Sequence, residues 1–151
     1  MKKKTNVLFV CQYNSGRSQI AEAYLRYYHG DNFSVESAGL LPAAAVSPLV
    51  VQVMKEAGFD LSEKKPVNVF ELFKRGNLYS YVITVCHKSE PNCPVFPGIT
   101  KRWHCPFSDP ESVEGTNAEK LEAVRAIRDA IRDWIRIFPE TLKHIDAESK
   151  E

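Results

Sequence analysis

A cysteine and an arginine at the two ends of a short polar loop are the residues of this chain whose types and spacing best suit a reaction. The segment reads Cys11-Gln12-Tyr13-Asn14-Ser15-Gly16-Arg17-Ser18. A thiolate is a strong nucleophile, and a nearby arginine and a helix N-terminus both favour it over the thiol. The guanidinium fork can hold two oxygens of a tetrahedral oxyanion at once, a geometry that lysine cannot supply. The backbone N–H groups of the loop from Gln12 to Ser18 can be aimed at the same anion, forming a cradle. The pattern suits thiolate attack on a bound oxyanion. Cys-x5-Arg alone would be read as a structural cysteine beside a surface arginine, so the elements around the motif must decide.

Those elements are of the required kind. Val7 to Val10 is short, apolar and partly β-branched, which predicts a buried strand ending at Cys11. From Ser18 to Tyr28, the residues Ile20, Ala21, Tyr24, Leu25 and Tyr28 fall on one helical face. A helix starting there brings the positive end of its dipole to the loop. Gly30 and Asp31-Asn32 close that helix, Phe33 to Ser37 reads as a second strand, and Ala38-Gly39 reads as a turn. Ser47-Pro48 predicts an N-cap followed by proline at the first helical position, with the helix ending at Gly58. Phe70 to Phe73 predicts a short helix, Tyr81 to Val85 a strand, and Lys101 to Cys105 a weaker fourth strand. From about Asn117, Leu121, Val124, Ile127, Ile131, Trp134, Ile135 and Phe138 predict a long amphipathic helix broken at Pro139. Its charged residues, among them Arg125, Arg128 and Arg132, read as a solvated face, and the tail Asp146 to Glu151 as frayed. Strands alternating with helices predict an α/β fold, with a parallel sheet covered on both faces. Ligands of such sheets bind beyond the carboxyl ends of the strands, where Cys11 falls.

Composition sets the frame for this chemistry. The 151 residues are expected to form a single domain, residues 1–151, with a catalytic core of about 5–139. Hydrophobic residues make up 44% and charged residues 26%, as in an ordinary globular protein, and a net charge of +1 gives no pull toward nucleic acid or membrane. The apolar run behind Met-Lys-Lys-Lys is too short for a signal peptide, and no stretch approaches the ~20 apolar residues of a membrane span. A cytoplasmic location is expected. Thiols stay reduced there, so the four cysteines point to chemistry rather than scaffolding.

Cys86 follows the strand Tyr81 to Val85, which puts it on the same rim as Cys11, and six residues separate it from Cys93. If the intervening segment moves, Cys86 can meet Cys11 on one side and Cys93 on the other, a geometry suited to a disulfide relay. Two other readings stay open. A cysteine ending a buried strand is often a small hydrophobe. Cys86, His87, Cys93, His104 and Cys105 might also suggest zinc, but Cys-x6-Cys is wider than a zinc knuckle, and no metal is expected. Cys105 is expected to be a packed thiol. An Asp before Pro, as in Asp109-Pro110, is by itself most often a turn residue.

The segment from Cys11 to Glu22 resembles the anion loop of low-molecular-weight protein tyrosine phosphatases and of the arsenate reductases that share their fold. The likeness runs from about Asn6 to Phe138, with the motifs in order. It implies a flavodoxin-like three-layer sandwich with a four-stranded parallel sheet. It implies Cys11 as nucleophile, Arg17 and the loop as oxyanion binder, and Asp109 as the general acid that protonates the departing oxygen. Asn14 would order the loop, and Ser18 would stabilise the Cys11 thiolate. The position of Gly16, often cysteine in the family, carries no assigned step.

The Cys86/Cys93 pair resembles the resolving pair of thioredoxin-coupled arsenate reductases. The implied reaction is reduction of arsenate to arsenite, with thioredoxin as reductant and glutathione with glutaredoxin as a variant. The rival is a phosphotyrosine or phosphomonoester phosphatase, which would need neither cysteine. A thiol-sensing anion binder would not need Asp109. No cofactor is implied. Some relatives bind potassium through oxygens that match Asn14, Glu22 and Ser37, but the acidic ligand expected near Pro66 to Asn68 is missing.

Overall fold

The computed structural model describes residues 3–86 and 100–148. Four strands, β1 (Thr5–Cys11), β2 (Phe33–Gly39), β3 (Tyr81–Thr84) and β4 (Lys101–His104), form one sheet in the order β2-β1-β3-β4. All three pairings are parallel, with Val10 opposite Ala38 on one side and Thr84 on the other. The helices are α1 (Arg17–His29), α2 (Pro48–Glu56), α3 (Val69–Lys74), α4 (Asn117–Arg136) and α5 (Phe138–Glu148). The parallel sheet covered on both faces is what the alternation of elements implied, and the flavodoxin-like three-layer α/β sandwich is what the resemblance implied.

Alternation along β1 assigns the two faces. Val7, Phe9 and Cys11 join a core built with α1, α2, α4 and α5, whereas Leu8 and Val10 pack with Val69 and Leu72 of α3. Because both faces are covered, Val7 to Val10 are fully buried, which is why β1 reads as an unbroken apolar run.

Two boundaries and one cap differ from expectation. Ala38 and Gly39 continue β2 rather than turn. A Cβ on Gly39 would lie 2.7 Å from Asn14 N and 2.8 Å from Tyr13 C, so glycine is needed there for the anion loop to cross the strand end. Ser47 occupies the N-cap position of α2 without a side-chain cap, and its N–H instead donates to Ser15 O at 2.9 Å. Pro139 ends one helix but stands in the first turn of the next, where its missing N–H costs nothing.

The core therefore does not stop near residue 139. Phe138, Leu142 and Ile145 of α5 are buried, and Phe138 meets Phe9 edge-to-face at 5.8 Å between ring centroids. Asp146, expected in a frayed tail, accepts a hydrogen bond from the Tyr81 hydroxyl at 2.9 Å and pairs with Lys101. Thr116 and Glu119 form a capping box at the start of α4. Arg125 and Arg128 of that helix reach across to Glu56 of α2, so part of its charged face is an inter-helix contact.

Candidate active site

The residues of the Cys-x5-Arg segment form a loop between the end of β1 and the first turn of α1. Its carbonyl groups are taken up from outside. Cys11 O accepts from Leu40 N–H at 3.2 Å, Gln12 O from Leu41 N–H at 2.8 Å, and Tyr13 O from Ala43 N–H at 2.9 Å. Asn14 O accepts from Gln19 Nε2 at 3.2 Å, Ser15 O from Ser47 N–H at 2.9 Å, and Gly16 O from Ile20 N–H at 2.9 Å. The described chain has no cis peptide, so each N–H that follows one of these carbonyls points away from the group that takes the carbonyl up. The N–H of Asn14 lies 3.2 Å from the Cys11 sulfur. A backbone donor beside a thiol favours an anion there without extra charge.

Side chains behind the loop fix its shape. Asn14 has φ 51°, a left-handed conformation that asparagine tolerates better than most residues. Its Oδ1 accepts from Val67 N–H at 2.8 Å and from Gln19 Nε2 at 3.0 Å. A backbone N–H can only donate, so the amide orientation is settled. Asn14 Nδ2 therefore donates to Ser18 Oγ at 2.8 Å and to Ser37 Oγ at 3.0 Å. Ser18 Oγ lies 2.8 Å from Cys11 Sγ. With its oxygen already accepting from Asn14, its hydroxyl proton is available to the sulfur, which is the direction a thiolate requires. Ser37 Oγ donates onward to Glu22 Oε1 at 2.8 Å. Among the described residues Gln19 Oε1 has no partner, a cost of about 1–3 kcal/mol for a buried acceptor that the loop tolerates.

The front of the pocket is lined by Cys11, Tyr13, Ser15, Gly16, Arg17, Asp109, Pro110 and Glu111. Arg17 is 5% exposed; its Nη1 donates to Phe107 O at 3.1 Å, and its Nη2 lies 3.9 Å from Asp109 Oδ1. Asp109 also caps the turn Pro110–Ser112, accepting from Glu111 N–H at 2.9 Å, which orients its carboxyl over the pocket. A Cβ on Gly16 would stand 3.2 Å from Pro110 Cγ, so glycine lets the Asp109-Pro110 turn approach the loop.

The structure thus brings Cys11, Arg17 and Asp109 to one cavity, with Asn14 and Ser18 behind the sulfur and the Gln12 side chain outside the lining. Cys86 follows β3, the neighbour of β1; it is 7% exposed, shares the Cys11 face of the core, and its sulfur lies 3.9 Å from Val10 O. Cys93 lies outside the described residues, as does His87. Burial pushes the Cys105 thiol up from its ordinary value, as befits a packed sulfur. Among the described residues no three His, Cys, Asp or Glu side chains cluster as metal ligands, and no helix is long and apolar enough to cross a membrane.

The description "low molecular weight phosphotyrosine protein phosphatase" belongs to the family model that matches residues 6–148. The chain is a member of that family. An arsenate reductase of Halalkalibacterium halodurans is 40% identical over 144 residues, spanning 95% of this chain and 100% of that protein. The arsenate reductase of Bacillus subtilis is 36% identical over 138 residues, spanning 91% of this chain and 96% of that protein. Among solved structures, a thioredoxin-dependent arsenate reductase of Corynebacterium glutamicum aligns with a TM-score of 0.60 at 31% identity, covering 90% of this chain and 64% of that one. A family described by its phosphatases thus includes a chain whose similar proteins are arsenate reductases.

Residues absent from the sequence reading complete the site. Gln19, Lys64 (which pairs with Glu22), the Val67 N–H and the Phe107 carbonyl all touch the loop, its supporting side chains or Arg17. Gln19 lies inside the Cys11-to-Glu22 segment that carries the resemblance, but the sequence assigns it no role; its burial and its hydrogen bonds to Asn14 do.

Proposed function

We propose that this protein is an arsenate reductase that works through a cysteine thiolate and a three-cysteine relay. The observation that carries the relay is the position of Cys86, two residues past the end of β3, the strand beside the one that ends on Cys11. A phosphatase has no use for a second thiol there.

Cys11 attacks arsenate held by the loop N–H groups and Arg17, a sulfur–arsenic bond forms, and Asp109 gives its proton to the departing oxygen, which leaves as water. Cys86 attacks the Cys11 sulfur. The electron pair of the sulfur–arsenic bond stays on arsenic, which leaves as arsenite, and a Cys11–Cys86 disulfide remains. Cys93 then attacks Cys86, frees Cys11 and moves the disulfide to Cys86–Cys93. A dithiol partner of the thioredoxin class returns that pair to thiols by exchange. The cycle needs reduced thiols and so a cytoplasmic setting.

The test is arsenate-dependent NADPH loss with thioredoxin and thioredoxin reductase, beside p-nitrophenyl phosphate hydrolysis. Arsenate-dependent loss that disappears in Cys86→Ser and persists only as a single turnover in Cys93→Ser is expected. Weak phosphate-ester hydrolysis should survive both substitutions, because phosphate and arsenate share shape and charge. Brisk hydrolysis with no NADPH loss would instead make the protein a phosphatase.

A further inference from the structure

Glu22 stands at the far end of the hydrogen-bond chain that reaches Cys11 through Ser37, Asn14 and Ser18. It is a carboxylate with 4% exposure, which needs a positive partner to remain charged. Lys64, on the segment between α2 and α3, supplies one: its Nζ lies 2.6 Å from Glu22 Oε2. Arg26, on the same helix as Glu22, reaches that oxygen at 3.1 Å but is the more solvent-exposed of the two, at 57% against 37%.

The sequence resemblance raised a potassium ion among the oxygens of Asn14, Glu22 and Ser37. The donor set does not fit it. Asn14 Oδ1 already accepts from Val67 N–H and Gln19 Nε2, and Glu22 Oε2 is shared by an ammonium and a guanidinium. Ser37 Oγ accepts from Asn14 and gives its proton to Glu22. A free cation would have to displace these donors and stand beside two positive groups.

We propose that Lys64 is a positioning residue whose ammonium group acts as this protein's built-in cation behind the anion loop, so that the protein needs no potassium. Lys64 takes up Glu22 Oε2 and leaves Oε1 as the acceptor that faces Ser37. Ser37 must then donate to Glu22 and turn its lone pairs toward Asn14. With both Nδ2 protons of Asn14 committed to Ser37 and Ser18, the Ser18 proton is left for the Cys11 sulfur. The other charged groups near this chain are Arg26 at Glu22, and Arg17 and Asp109 at the front of the pocket. Asp60 lines the same surface groove as Lys64 but pairs with Ser62.

The experiment measures the rate at which iodoacetamide labels Cys11 at neutral pH, read site by site by mass spectrometry, for the parent, Lys64→Met and Lys64→Arg. Each is measured in potassium chloride and in tetramethylammonium chloride of equal ionic strength, with the thermal midpoint alongside. The parent should label equally in both salts. Lys64→Met, which keeps the aliphatic stem, should label roughly 3- to 30-fold more slowly, and Lys64→Arg should recover most of the rate. In arsenate turnover, which rests on the proposed function, kcat should fall in Lys64→Met while KM moves little. A parent that requires potassium, a folded Lys64→Met that labels like the parent, or a Lys64→Arg as slow as Lys64→Met would each overturn the assignment. A parent without arsenate turnover would sink the reductase reading instead, and the labelling rates would still decide on Lys64.

Discussion

Behind the Cys11 sulfur, Ser18, Asn14, Gln19, Ser37 and Glu22 are joined by contacts of 2.8–3.0 Å, all of them buried. In front of it, Arg17 meets the Phe107 carbonyl at 3.1 Å and Asp109 only at 3.9 Å, and Asp109 is 26% exposed. The back of the pocket is set before any substrate arrives, which spares reorganisation when negative charge gathers on a bound oxyanion. The front is held by contacts that Arg17 can trade for the oxygens of a substrate. The contrast separates binding, which profits from rigidity, from proton delivery, which has to follow the leaving oxygen.

Three substitutions test that contrast, in descending order of expected effect. Arg17→Lys removes the fork at the front and should lower kcat/KM roughly 10³-fold, with the unfolding midpoint little changed. Asn14→Ala at the back should cost about 3 kcal/mol in denaturant unfolding, because it strands several buried partners and places alanine at a positive φ. Its activity should fall as well. Asp109→Asn should lower kcat about 10²-fold as the proton donor is lost, while stability stays within about 0.5 kcal/mol, since asparagine caps the following turn as well as aspartate. Equal stability losses in Asn14→Ala and Asp109→Asn would break the contrast.

The smallest effect is read at the other end of β3. The Tyr81 phenol is pushed up to about 12, first by burial and then by its hydrogen bond to Asp146. The folded state holds that proton more tightly than the unfolded chain, whose value is 10.0. The stabilisation is therefore complete below pH 10 and lost as pH rises toward about 12. Thermal midpoints at about pH 9 and about pH 11.5 should differ less in Tyr81→Phe than in the parent. An equal drop in both would assign the alkaline loss elsewhere, Tyr79 being the next candidate because burial raises it to a similar value.

Much of this architecture is legible in the sequence because periodicity reports burial. β1, α1 and α4 each present one consistent apolar pattern, and each forms close to where it was expected. Pro139 misled because proline stops a helix and also starts one, and only the burial of Leu142 and Ile145 shows which role prevails. Gly39 misled because a glycine demanded by a crossing loop looks like a glycine demanded by a turn. Cys11 and Arg17 stand out by motif and spacing, and Asp109, Asn14, Ser18, Glu22 and Ser37 only through the resemblance. Lys64 and the Val67 N–H could not be read at all, because they meet residues 14 and 22 only after the sheet has formed, and a backbone N–H is announced by no side chain.

Cys105 lies half-buried against the core with its thiol pushed up by desolvation. Trivalent arsenic seeks sulfur, and it binds thiolates far more readily than protonated thiols. A bystander cysteine held in its neutral form is a poor trap for such a product and a slow partner for stray disulfides. The packing of one side chain thereby bears on self-poisoning: one thiol fewer stands ready to capture a sulfur-seeking product.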